Sequence, residues 1–180
     1  MPHKHESSDD QLIARINRGD DGAFQQLYDR YRGWVYQLAI RLTEDEHLAE
    51  EVLQETFVDF VSRFPGMEIN RRFTTYLYPI VRHIALRRLE NLPGWETGEG
   101  DDLRLEPLRP VGSNRANGRD AFAEWLRGMP ESMREPLILH YIDGMDLKEI
   151  AEALELPVGT VRARLHHSLD RLREYFDPMR

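Results

Sequence analysis

Cysteine is absent from this 180-residue chain, which excludes disulfide staples, thiol nucleophiles and every thiolate zinc site. Histidine occurs seven times, but no two stand at metal-binding helical spacing with a carboxylate nearby, so neither a metal nor a cofactor is expected. Lysine is almost missing: of 24 basic residues only Lys4 and Lys148 are lysines. The arginine bias fits a GC-rich genome or a need for bidentate donors. No apolar run approaches the ~18 residues needed to cross a bilayer, and the opening Met1-Pro2-His3-Lys4-His5-Glu6 lacks a secretory apolar stretch. A cytoplasmic location is expected. Positive charge is in the minority, 24 basic residues against 32 acidic for a net charge of −8. That balance excludes a protein that coats nucleic acid by bulk electrostatics, so any nucleic-acid contact must be local.

Period-two alternation is missing too, while apolar residues recur at three-and-four spacing, which predicts an all-α fold. Leu12, Ile13 and Ile16 make a short first helix ended by Gly19. Asp20 or Asp21 caps a second, with Phe24, Leu27, Tyr28, Tyr31, Val35, Leu38, Ala39 and Leu42 on one face. Thr43 with Glu46 has the form of a capping box for a third, with Leu48, Val52, Leu53, Thr56, Phe57 and Phe60 inward. Asn70 is expected to cap a fourth, kinked at Pro79. Periodicity then disappears between residues 91 and 117, where proline, glycine and acids dominate; this reads as a linker. Two small helical domains follow from this pattern, residues 1–90 and 118–180.

The sharpest local signal runs from Asp146 to Leu165. Asp146 and Glu149 are placed to cap a helix with Leu147, Ile150, Ala151 and Leu154 on one face, and a tight turn leads through Pro157 into a second helix. That is a helix-turn-helix pattern, with Ala151 small at the crossing and Val158, Val161, Leu165, Leu169 and Leu172 as the buried stripe. One flank carries Thr160, Ala163, Arg164, His167 and Arg171, the other Arg162, His166 and Arg173. Residues 158–173 hold four arginines against one acid, Asp170. An arginine face suits base edges and phosphates in a major groove. In the third helix, Leu53, Phe57 and Phe60 turn inward and leave Glu51, Gln54, Glu55 and Val58 outside, which by pattern alone is an ordinary solvated face.

The stretches Asp10 to Ile13, Gly19-Asp20, Ala23-Phe24, Leu27-Tyr28, Arg30-Tyr31, Ala49 to Phe60 and Gly159 to Leu165 together resemble a bacterial extracytoplasmic-function (ECF) RNA polymerase sigma factor. The likeness covers residues 9–90 and 119–176 in order. It implies a first domain, sigma region two, that binds core polymerase and opens the promoter. The second, sigma region four, then reads the upstream promoter box. It further implies that Glu51, Gln54, Glu55, Phe57 and Val58 lie on or beneath the surface gripping the β′ subunit. Partners would be core polymerase through β and β′, promoter DNA, and an anti-sigma factor.

In the same resemblance, the loop from Arg63 to Arg72 captures an unstacked base of the downstream box, and the fourth helix lies along that DNA. Arg63, Asn70, Arg71, Arg72, Arg82, His83, Arg87 and Arg88 are then the polar contacts. Phe64 and Tyr76 are rings that stack on bases or pack in the core. The upstream box falls to Gly159, Thr160, Arg162, Ala163, Arg164, His166, His167 and Arg171. Tyr76 and His83 stand where the family usually has Trp and Asn, and Ala163 where Ser is frequent. Two other classes compete with this reading. A response regulator shares the helix-turn-helix but needs a doubly wound receiver, for which the first half offers no strands. An enzyme using Asp9-Asp10, Asp20-Asp21 or Asp101-Asp102 as metal carboxylates meets pairs already explained by caps and solvation, so a non-catalytic protein is expected.

Overall fold

A computed structural model describes residues 7–92, 122 and 125–176, and every described regular element is helical. The chain divides into two compact units, Met1–Thr97 and Gly98–Arg180. Nearly all of the predicted linker, residues 93–117, lies outside the described residues.

The first unit contains α1 (Asp9–Ile16), α2 (Asp21–Thr43), α3 (Glu46–Ser62) and α4 (Phe73–Glu90). Ser8 caps α1 in a reciprocal box with Gln11. Asp20 caps α2 as expected, accepting from the Ala23 amide at 3.1 Å while Arg15 Nε donates to its other oxygen at 2.9 Å. The cap of α3 is Asp45, which accepts from the Leu48 amide at 2.8 Å, and not Thr43. Thr43 is the last residue of α2, and its buried hydroxyl donates back to the Ala39 carbonyl. Asn70 does not cap α4 either; Arg72 holds the cap position without a side-chain bond. The helix then runs through Pro79 to Glu90. Leu12, Leu27, Val35, Val52, Phe60, Phe73, Leu77 and Tyr78 are sealed in the core. Burying each such side chain contributes about 1.5–3 kcal/mol. Phe60 is the aromatic hub, meeting Phe64 and Phe73 edge-on at centroid distances of 5.0 and 5.2 Å.

The second unit contains α5 (Glu131–Tyr141), α6 (Leu147–Ala153) and α7 (Val158–Phe176), preceded by helical residues 125–127. Trp125, Met133, Leu137, Leu139, Met145, Ile150, Val161 and Leu165 form its core. The Asp146–Glu149 box is present in both directions. After α6 the chain turns at Glu155, whose φ is +55°. The Leu156 amide donates to the Ala151 carbonyl at 2.9 Å, and the Pro157 carbonyl receives the Thr160 amide at 2.9 Å. The buried stripe of α7 departs from expectation. Val158, the first residue of the helix, is 37% exposed, and Leu169 and Leu172 are only half-buried, whereas Ser168 is fully enclosed. Ser168 belongs in the stripe because 161, 165 and 168 follow the four-and-three spacing, and its hydroxyl finds carbonyl partners there.

Candidate functional site

Three surfaces collect the sequence-predicted residues. On α3, Gln54 is exposed, Val58 is 69% exposed and Val61 is 43% exposed. Their spacing of four and three makes one outward stripe. Phe57 lies beneath, buried against Tyr28 at a centroid distance of 4.8 Å.

Glu51 and Glu55 flank this stripe, but they are not bare. Arg88 donates to Glu55 Oε2 through Nη2 at 2.8 Å and Nε at 3.1 Å, and its Nη1 reaches Glu51 at 2.9 Å. Arg87 also donates to Glu55. Burial alone would push the Glu55 carboxyl up, but the hydrogen bonds from Arg88 and Arg87 outweigh it and hold the group below its ordinary range. The two α4 arginines assigned to DNA thus face the two α3 carboxylates assigned to polymerase.

The second surface is the loop before α4. Arg63 is bound to Asp59 at 2.7 Å, and Phe64 is half-buried against Phe60. Asn70, Arg71 and Arg72 are exposed along a cavity of about 620 Å³ that Asp10 and Ile13 of α1 also line. Tyr76 resolves toward the core: it is 9% exposed, stacked near Phe73, with the Arg71 guanidinium 5.9 Å above its ring. That burial pushes its phenol up. Arg82 is half-buried, and exposed His83 borders a hollow of about 380 Å³ with Glu55, Asp59, Arg63 and Arg87. Asp9, one of the acids weighed for metal binding, is engaged by Arg30 at 2.6 Å and by the Tyr31 hydroxyl. Asp101-Asp102 lies outside the described residues. Among the described residues no cluster of three or more potential metal ligands exists, and no helix is long and apolar enough to cross a membrane.

Sequence reasoning missed Asn17. This C-cap residue of α1 has a side chain that bonds three times to the backbone at Gly66 and Met67. No local pattern announces such a contact.

The third surface is the outer face of α7. Gly159, Arg162, Ala163, His166 and His167 are exposed and Thr160 is half-buried. Arg164 and Arg171 turn the other way. Arg164 is half-buried and donates to the Ser132 carbonyl at 3.3 Å. Arg171 is half-buried, with one guanidinium nitrogen enclosed and lacking a hydrogen-bond partner among the described residues. The charges that remain outward include Arg173, which donates to Asp170 at 2.9 Å, and Asp170 in turn lies 2.9 Å from His166 Nδ1.

A family model described as Sigma-70 region 2 matches residues 27–92, and one described as Sigma-70, region 4 matches residues 119–172. Over 174 residues the chain is 29% identical to the ECF RNA polymerase sigma factor SigW of Bacillus subtilis, covering 90% of this chain and 93% of the relative. It is 27% identical to the RNA polymerase sigma-H factor of Pseudomonas aeruginosa, covering 97% and 96%. Two solved structures share the fold. CnrH, in complex with the cytosolic domain of CnrY, aligns with a TM-score of 0.67 at 24% identity over 96% of this chain and 100% of that one. RpoE, in complex with the anti-sigma factor NepR from Bartonella quintana, gives 0.61 at 20% identity over 87% and 98%.

Proposed function

The chain belongs to the sigma-70 family, in its ECF group, and directs promoter recognition by RNA polymerase; from that premise we propose how its residues divide the work. Residues 1–90 act as region two, 91–117 as a linker and 118–180 as region four. Core polymerase docks on the α3 stripe of Glu51, Gln54, Glu55 and Val58, with Phe57 supporting it from below. The observation that carries this assignment is Val58: a large apolar side chain 69% exposed beside a polar amide and two carboxylates suits a partner helix better than water.

Downstream promoter DNA meets Arg63, Asn70, Arg71 and Arg72 on the loop and Arg82, His83, Arg87 and Arg88 on α4. Phe64 and Tyr76 back this surface as packed rings. Upstream DNA meets Gly159, Thr160, Arg162, Ala163, His166 and His167, while Arg164 and Arg171 set the helix from behind. The role is non-catalytic and exercised in the cytoplasm, where polymerase works. CnrH and RpoE were solved with protein partners, and a partner of the NepR kind that covers the α3 stripe would exclude polymerase by occupancy.

The test is run-off transcription with purified core polymerase on a library of upstream fragments. Sequence-selective transcripts that require this chain support the reading; none above core polymerase alone would refute it.

A further inference from the structure

Asn17 and the loop it holds are about fifty residues apart in sequence. Asn17 Oδ1 accepts from the Gly66 amide at 2.7 Å and from the Met67 amide at 3.0 Å, and Nδ2 donates to the Met67 carbonyl at 2.8 Å. A primary amide offers an acceptor and a donor side by side, so it can satisfy the N–H and the C=O of one residue together. Gly66 has a φ of +98°, a backbone state that glycine enters without steric cost. The loop therefore turns where Asn17 grips it. Beyond the turn, Ile69 is buried and Tyr76 approaches Met67, so both flanks of Met67 are fixed. The same α1 that ends in Asn17 supplies Asp10 and Ile13 to the cavity that Asn70, Arg71 and Arg72 also line. Helix and loop thus line one opening, and the Asn17 side chain ties the same two segments together.

We propose that Asn17 is a positioning residue for downstream promoter recognition: by clamping Gly66 and Met67 to α1, it sets Asn70, Arg71 and Arg72 along the cavity before DNA arrives. The inference rests on the reading that this loop takes an unstacked base. A loop ordered in advance does not lose that conformational freedom on binding. Without the clamp the loop samples other states in which Arg71 and Arg72 still meet phosphates but no base is read, so the advantage of the preferred base shrinks as the competent fraction falls.

The test compares holoenzymes carrying the parent chain, Asn17→Ala, Asn17→Asp and Asn70→Ala. A promoter library randomised at the downstream box is the probe, with core-polymerase affinity and the upstream footprint read in parallel. Asn17→Ala is expected to reduce downstream base preference about five- to tenfold, the effect of one lost net hydrogen bond. Core affinity and upstream footprint stay at parent values. Asn17→Asp keeps both accepted bonds but sets an anionic oxygen against the Met67 carbonyl, and is expected to fall between. Amide exchange at Gly66 and Met67 in the free protein should accelerate in Asn17→Ala while α3 amides stay unchanged. Parent-like base preference in Asn17→Ala, or loss of core affinity in equal measure, overturns the positioning role. If Asn70→Ala also leaves base preference at the parent value, the reading of the loop itself fails.

Discussion

Arg88 is the sharpest place to separate a structural charge from a DNA-binding one. It holds Glu55 with two nitrogens and Glu51 with the third, and these side chains are 28–38% exposed. Fully exposed pairs contribute about 0.2–1 kcal/mol, and buried hydrogen bonds to charged groups about 1.5–3 kcal/mol. A network at intermediate exposure with a forked guanidinium should couple Arg88 to Glu55 by about 1–1.5 kcal/mol. The measurement is a double-mutant cycle of Arg88→Ala, Glu55→Ala and the pair, by urea unfolding of the full chain. Each single variant should lose stability, and the second substitution should cost little once the first is made. In a parallel thermal melt, 1 kcal/mol in a unit of this size corresponds to a Tm shift of about 4–8 °C. A coupling below about 0.3 kcal/mol would refute the brace. If Arg88→Ala then also lowered the salt slope of promoter binding by about one without touching stability, Arg88 would be an ordinary phosphate contact.

Because the Glu55 carboxyl is held below its ordinary value of 4.5, its contribution is fully present above that pH and lost as pH falls through the lower folded value; Glu55→Gln should flatten this part of the acid-unfolding curve. Arg162→Ala is expected to cost about 1–3 kcal/mol of upstream binding and relax preference at one base position, measured by footprinting on variant promoters. Arg164→Ala should instead lower the stability of the second unit and weaken all promoters alike, and a base-specific loss there would reverse its assignment. Gln54→Ala combined with Val58→Glu should weaken core-polymerase binding in a competition assay while helicity by circular dichroism stays at the parent level.

The local devices were readable in the sequence. Asp20 as a cap and the Asp146–Glu149 box depend on residues within a few positions of one another, so spacing carries them. Thr43 was misread because a hydroxyl can cap the next helix or bond back to its own, and the Ala39 carbonyl won. What the pattern did not carry were partners at long range. Glu55 with Arg87 and Arg88, Arg164 with Ser132, and Asn17 with Met67 lie 32, 33, 32 and 50 residues apart. Periodicity tells which face a residue occupies; it does not tell which other face will meet it. Tyr76 shows the same limit, since an aromatic at a helical inward position packs or stacks on DNA according to neighbours the spacing does not specify.

The hydroxyl of Ser168, 3.1 Å from the Met133 carbonyl on α5, works with Arg164 on Ser132 as an indexing pin for α7. An α-helix advances about 100° per residue, and its side chains reach about 6 Å from the axis. Rolling the cylinder by a mere 20° would therefore carry the tip of Arg162 about 2 Å sideways, several times the latitude a hydrogen bond to a base edge tolerates. If α7 reads the upstream box as proposed, the dial that selects the sequence is set from the hidden side of the helix. On that reading, drift at Ser168, a buried position, would be enough to retune the promoter repertoire while every outward residue stayed the same.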